Sequence, residues 1–327
     1  LLLSGSSQRM MQGLVLDRTA PLFGRATEIL KISPLPAGWI EEALHPPTPE
    51  SAVEAYAVLG GTPRYWELAG DHPDLPTAIR SLVLSPLGVL FEEPSRLLLD
   101  DMRDTTQAAS ILSLIGQGCH RISEIAARLG KPATALSRPI QRLQDMDLIT
   151  RELPFSESPR GSKRTLYKIS DPFLRFWFRF VEVNRSRLGV GQTAAVEEEI
   201  LQRLGHHVGE VWEELARASV PRLDLAGRAW GPAGRWWGSG RDRQPLEVDL
   251  VAHSVDGRSV LIGEVKWARH AIPRDAERLL AQLEDKARRL PVTAGREVVP
   301  MLWLKAPVGG LPADRLVTPR QVLDVLR

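Results

Sequence analysis

The 327-residue chain holds a single cysteine, Cys119. That excludes an internal disulfide framework and a cysteine zinc site, and leaves Cys119 a structural role. No apolar run approaches about 18 residues, which excludes a membrane-spanning helix. Leu1-Leu2-Leu3-Ser4-Gly5-Ser6-Ser7 lacks the basic start and long apolar core of a secretory leader. The phosphate-cradling pattern G-x-x-x-x-G-K-[ST] occurs nowhere. Charge of one sign is not in excess either: 42 Lys and Arg against 40 Asp and Glu leave a net +2. A nucleic-acid partner must therefore be argued from local patches. A cytoplasmic location is expected. No initiator Met precedes Leu1, and the chain reads as the C-terminal part of something longer.

Proline and glycine punctuate what is there. Residues 1–7 read as the end of a buried strand. Ile29 to Leu35 is a short extended run, and Pro46, Pro47 and Pro49 break the chain. From Glu50 to about Glu93 the pattern is helical, interrupted at Gly60-Gly61-Thr62-Pro63. Three short amphipathic helices follow, carried by Ala108–Ile115, Ile122–Leu129 and Ala135–Met146. Two strands, Leu148–Leu153 and Thr165–Ile169, flank a Ser/Pro/Gly/Lys-rich tip. Three helices and a two-stranded wing make a winged helix-turn-helix. A long helix over 193–218 then leads into strands at 226–237, 246–254 and 259–267, a helix at 274–290 and a strand at 297–305. That order predicts an α/β sandwich with a mixed sheet.

Asp256-Gly257 between two β-rich runs is a two-residue type I′ hairpin signal. The register it implies sets His253 against Val260, Val251 against Ile262, Asp249 against Glu264 and Glu247 against Lys266. With period-two alternation all eight side chains share one face, and Leu246, Val248, Leu250, Ala252, Leu261 and Val265 take the other. Two carboxylates placed directly opposite repel each other. Mg²⁺ or Mn²⁺, which prefer oxygen ligands, would compensate them. Lys266 points the same way, to orient a water or meet a phosphate, and Glu210 on the preceding helix offers a further carboxylate. The set suits metal-assisted phosphodiester hydrolysis. A wet surface hairpin is the alternative, and the apolar neighbours Ile262 and Trp267 speak against it.

Glu247-Val248-Asp249 followed by Glu264-Val265-Lys266 resembles the PD-(D/E)XK nuclease pattern, with Val248 where the signature has proline. Trp236-Trp237 and the run Asp171-Pro172-Phe173-Leu174-Arg175-Phe176-Trp177 resemble a narrower family: the domain of unknown function at the C-terminus of archaeal and bacterial DEXX-box ATPases. The resemblance implies Asp249, Glu264 and Glu210 as metal ligands and Asp249, Glu264 and Lys266 as catalytic. Leu1–Ser7 resembles the sensor strand of AAA-type ATPases, with Ser6 its polar residue. Pro21-Leu22-Phe23-Gly24-Arg25 resembles the segment after it, and Gly61-Thr62-Pro63-Arg64 the Gly-x-Pro element of a lid. These imply nucleotide contacts at Ser6, Arg25, Gly61, Pro63 and Arg64, with ATP bound only in a longer parent chain. The Gly60–Pro63 element reads equally as a helix-breaking turn.

The expected architecture is an α/β multidomain chain. A sensor strand and helical lid span 1–103, a winged helix-turn-helix 104–170, and a restriction-endonuclease-like sandwich 171–327. Arg138, Gln141 and Arg142 on the third helix, with Lys163 and Arg164 in the wing and Arg160 nearby, are candidate DNA contacts; the same module also serves protein interaction elsewhere. Arg235, Arg241 and Arg243 either bind a nucleic-acid backbone or solvate a loop. His206-His207 reads as an ordinary helix pair. Expected partners are DNA, a further ATPase core or a second copy of the chain, and no membrane. The function expected is that of an ATPase-linked nuclease; the alternative is a non-catalytic regulatory protein whose nuclease fold is a docking module.

Overall fold

The computed structural model describes residues 18–25, 27–101, 105–158, 162, 164–268, 273–308 and 312–327. The expected strand at Leu1–Ser7, with Ser6, lies outside them. After an extended segment through Leu35, helices α1 (Ile40–Leu44), α2 (Pro49–Leu59), α3 (Pro63–Gly70), α4 (Leu75–Ala78) and α5 (Glu93–Asp101) form an N-terminal unit. Thr48 caps α2 through a reciprocal bond with Ser51, and Pro49 and Pro63 occupy first turns, where their missing N–H costs nothing. The break between α2 and α3 needs glycine for space. A Cβ on Gly61 would lie 2.4 Å from the Leu35 carbonyl oxygen, and one on Gly60 2.8 Å from Asp171 Oδ2.

Helices α6 (Thr105–Gly116), α7 (Ile122–Arg128) and α8 (Ala133–Asp145) precede the antiparallel pair β1 (Ile149–Glu152) and β2 (Leu166–Ile169). α8 buries Leu136, Ile140 and Leu143 and leaves Arg138, Gln141 and Arg142 exposed. α9 (Pro172–Phe176), capped by Asp171, runs on as a wider-wound turn through Val181. Its aromatic side chains are almost fully buried. α10 (Arg185–Gly189) leads to the 27-residue α11 (Thr193–Ser219).

The sheet that follows is β3 (Gly234–Ser239), β4 (Pro245–His253), β5 (Ser259–Lys266), β6 (Glu297–Leu304) and β7 (Leu316–Val317), in that spatial order. The first three strands are antiparallel; β5, β6 and β7 are parallel, with α12 (Pro273–Arg289) as the crossover between β5 and β6. This is the expected mixed sheet. The strand expected over 226–237 is shorter and later than the sequence pattern suggests. Only the bridges Leu225↔Arg228 and Trp230↔Ser254 precede it, because Pro232 has no N–H to give a ladder.

Both faces of the sheet are covered. Leu250, Ala252, Leu261, Val265 and Trp303 pack toward α11 with Val208, Val211 and Trp212. Val251, Val260, Ile262 and Leu302 pack toward α12 with Ala276, Leu283, Ala287 and Leu290. Leu246 and Val248 belong to this second side, not to the first as strict alternation predicts. The reason is a bulge. Gly234 pairs with Val251 but Trp236 pairs with Val248, two steps on β3 against three on β4. The extra residue falls at Asp249–Leu250 and inverts the alternation beyond it. The last helix, α13 (Pro319–Val325), returns to the N-terminal unit, where Gly38 N–H donates to the Leu326 carbonyl at 2.9 Å. Among the described residues no helix is long and apolar enough to cross a membrane.

Candidate functional site

The β4–β5 hairpin keeps the expected register: Leu250↔Gly263, Val251↔Ile262, Ala252↔Leu261 and His253↔Val260. Its turn differs. Only Gly257 has a left-handed φ (+72°), whereas a type I′ turn needs two such residues. The strands close at Ser254 and Ser259 on a four-residue loop. The Val255 N–H goes to the Ala229 carbonyl, and the Asp256 carboxylate takes Ser254 Oγ and the Arg258 N–H instead.

At the other end the ladder stops after Leu250↔Gly263, so Asp249 and Glu264 are not ladder partners. Asp249 Oδ2 accepts the Val265 N–H at 3.0 Å, a side chain standing where a rung would be. The Asp249 carbonyl accepts Arg217 Nη1 of α11 at 2.9 Å. Arg217 is itself buried, facing Glu213 at 3.5 Å and Glu152 of β1 at 4.0 Å. Lys266 Nζ lies 2.7 Å from Glu264 Oε1 and 3.3 Å from Asp249 Oδ2. The other Glu264 oxygen, Oε2, takes Lys286 Nζ of α12 at 2.7 Å. The three expected residues thus converge, although two ammonium groups already offset the two carboxylates. Glu247 does not face Lys266; the bulge turns it to Arg235, whose Nε is 2.8 Å away.

Asp249 and Glu264 are each 8% exposed, while the Lys266 side chain is 43% open, so the cluster has one side to solvent. Burial alone would lower the Lys266 pKa; the Asp249 and Glu264 carboxylates outweigh it and hold the ammonium above the ordinary lysine range. Glu213 shifts upward, through burial and then the negative charge of Asp249. Arg217, 3.5 Å from Glu213, opposes that shift.

Glu210 is not part of this group. It pairs with Arg179 at 2.8 Å and with His206 at 3.5 Å. Three residues on, ~4.5 Å along the axis, Glu213 is the α11 carboxylate that feels the charge of Asp249. Among the described residues no three of Asp, Glu, His and Cys form a ready-made metal cage. The donor pair Asp249 and Glu264 nonetheless suits a hard divalent cation, since Mg²⁺ is commonly held by one or two carboxylates and keeps its remaining waters. Sequence reasoning missed Glu213, Arg217 and Lys286. Lys286 was within reach: it lies three residues beyond Leu283 on the apolar stripe of α12.

The remaining candidates are dispersed. Gln141 is bound to Asp145 at 2.8 Å. Arg164 donates to the Trp237 carbonyl at 3.0 Å and pairs with Glu157 at 2.5 Å. Phe155 N–H donates to the Arg235 carbonyl at 2.8 Å. Phe155 and Arg164 thus lie against β3 and cover part of that edge of the sheet. Lys163 and Arg160 lie outside the described residues. Arg25 closes an exposed turn on Leu22, Gly61 accepts the Leu35 N–H, and Arg64 pairs with Glu67 on the surface. The shallow cleft beside Pro63 is lined by Leu35, Trp39, Ala43, Trp66, Glu42 and Glu67 and is mainly apolar, a poor setting for phosphate. His206 is 81% exposed, and His207 is buried against the Ala57 carbonyl, so the pair shares no ligand.

The family described as archaeal and bacterial proteins of unknown function (DUF234) matches residues 177–279. That span holds Asp249, Glu264 and Lys266 and ends before Lys286. An uncharacterized protein of Methanocaldococcus jannaschii is 30% identical over 300 residues. The match covers 88% of this chain and 64% of the relative, so the chain spans under two thirds of that relative's length. No solved structure matches.

Proposed function

We propose that the sheet domain is a metal-dependent phosphodiesterase of the PD-(D/E)XK type acting on DNA. The observation that carries this reading is the meeting of Asp249, Glu264 and Lys266 at the point where β4 and β5 part, open to solvent on the Lys266 side. Asp249 and Glu264 would hold Mg²⁺ or Mn²⁺. Such an ion supplies Lewis-acid polarisation of a phosphate oxygen and acidifies a bound water. The protein's own groups do the rest. The Val265 N–H and the Arg217 guanidinium fix Asp249 at its carboxylate and its carbonyl. Lys266 stays protonated and meets negative charge as it develops on the phosphate.

The finer architecture belongs to the same proposal. The sheet with α11 and α12 on its two faces is read as a restriction-endonuclease-like sandwich. The α6–α8 helices with β1 and β2 are read as a winged helix, with Arg138, Gln141 and Arg142 toward DNA. The N-terminal helices are read as the lid of an AAA-type ATPase. These 327 residues contain no phosphate-binding loop, so ATP hydrolysis is not assigned to them.

A second reading has its own support. Both carboxylates are already paired with lysines, as in a docking module that needs no metal. DNA cleavage with Mg²⁺ or Mn²⁺ separates the two. Activity that disappears in Asp249→Asn and in Lys266→Ala, with cooperative unfolding retained, supports the enzyme. Cleavage that persists in both variants refutes it.

A further inference from the structure

Glu264 is held by two ammonium groups, one on each oxygen, and only one of them belongs to the motif on β5. Lys266 bridges Asp249 and Glu264. Lys286 comes from the other layer, on the last turn of α12, and touches Glu264 Oε2 alone. Its neighbours on α12 are engaged elsewhere: Asp285 with Arg288 at 3.0 Å and Arg289 with Asp242 at 2.5 Å. Leu283, Ala287 and Leu290 anchor that turn of α12 under the sheet. The Lys286 backbone is thereby fixed, while its four-carbon stem, with the side chain 27% exposed, is free to swing outward.

We propose that Lys286 is an internal cation that closes the metal site: it competes with a divalent ion for Glu264 and must leave when one binds. The proposal rests on reading Asp249 and Glu264 as metal ligands. Charge gives the reason. Asp249 and Glu264 against Lys266 and Lys286 sum to zero, and a neutral cluster offers a divalent ion little attraction. With Lys286 withdrawn the same cluster, two carboxylates against Lys266 alone, is net negative. Lys266 cannot play this part, because it is shared by both carboxylates and its release would leave Asp249 without its cation.

A purely structural ion pair predicts something else: loss of stability on substitution and no gain in metal affinity. Mn²⁺ titration by calorimetry on the full chain distinguishes them. We expect Lys286→Gln to bind Mn²⁺ about tenfold more tightly than the unsubstituted protein, the scale of one partly buried ion pair that no longer has to be broken. Lys286→Arg, which keeps the charge, should bind as the unsubstituted protein does. Affinity that is unchanged or weaker in Lys286→Gln overturns the role of Lys286 while leaving the metal site standing. Tightening in Lys286→Arg equal to that in Lys286→Gln overturns competition by charge. Absence of Mn²⁺ binding in both the unsubstituted protein and Lys286→Gln overturns the metal site and the internal cation together.

Discussion

The Asp249 carboxylate accepts the backbone N–H of Val265 at 3.0 Å, just beyond the last rung of the β4–β5 ladder, Leu250↔Gly263. A side chain thus completes a sheet that the bulge in β4 would leave unsatisfied, and the residue that does so is the candidate metal ligand. Structure and chemistry make separable demands on it. Asp249→Asn keeps an oxygen for the Val265 N–H and removes the charge. Asp249→Ala removes both and leaves a buried donor without its partner, at a cost of about 1–3 kcal/mol. In urea melts we expect Asp249→Ala to lose that much and Asp249→Asn clearly less. Both should fail to cleave DNA. Equal stability loss in the two would show that the Val265 bond carries no weight.

Gly263 is the residue of β5 that lets Trp303 lie across the sheet. A Cβ there would sit 2.7 Å from Trp303 Cζ3 and 3.0 Å from Leu250 Cβ. Trp303 is fully buried and has no room to retreat. Gly263→Ala should destabilise the protein by about 1–3 kcal/mol through overpacking. Gly257, with a positive φ but nothing within 4 Å of an added Cβ, is the matched control; its alanine variant should cost about 1 kcal/mol. Chemical denaturation of the two variants tests the difference.

Much of this was legible in the residues, and the failures have one cause. The pattern of β-rich runs and amphipathic stretches reads out the order of helix, three strands, helix and strand, because both periods reflect burial on a single element. The hairpin register survived a wrong turn type because Asp256 and Gly257 stay at its centre. The bulge at Asp249–Leu250 was not legible. It is set by how β3 pairs with β4, a contact between strands that no local period records, and it moved Leu246, Val248 and Glu247 to sides that alternation does not predict. Glu210 was preferred to Glu213 for a similar reason. Both are acidic and both lie on α11, and only the packing of Arg179 against Glu210 decides between them.

Two buried groups should give the stability curve opposite slopes. His207 is held near pKa 3, below the ordinary 6.5, by burial and then by Arg179. Its Nε2–H donates to the Ala57 carbonyl at 2.7 Å, tying α11 to α2. Between pH 3 and 6.5 the unfolded chain binds the extra proton, so this contribution is present above 6.5 and is lost on acidification. Asp171 is raised from 3.8 to about 6, by burial, against the lowering bonds from Leu174 and Phe173. Here the folded state binds the extra proton, so its contribution is present below 3.8 and is lost as pH rises through 6. The full effects are roughly 5 kcal/mol for His207 and roughly 3 for Asp171. They oppose each other between pH 4 and 6. Relative to the unsubstituted protein, Asp171→Asn should gain stability as pH rises from about 4 to 6, and His207→Gln should lose it. Urea midpoints across that range measure both, and parallel curves for all three proteins would contradict the assignment.

The basic residues around the β1–β2 hairpin fall on two elements. Arg138 and Arg142 stand exposed on α8. Arg164 is spent within the molecule, on the Trp237 carbonyl and on Glu157, where it helps the hairpin cover the β3 edge. If DNA lies along α8, replacing Arg138 and Arg142 together by alanine removes phosphate contacts without touching the core. Affinity should fall for every sequence tested, and the slope of log affinity against log salt should flatten by about one to two units. Arg164→Ala should leave that slope unchanged and instead raise the susceptibility of the chain to proteolytic nicking next to Arg164, because its hydrogen bond to Trp237 and its ion pair with Glu157 are gone. The reverse pattern, a flattened salt slope in Arg164→Ala and none in the double variant, would move the nucleic-acid interface off α8 and onto the loop.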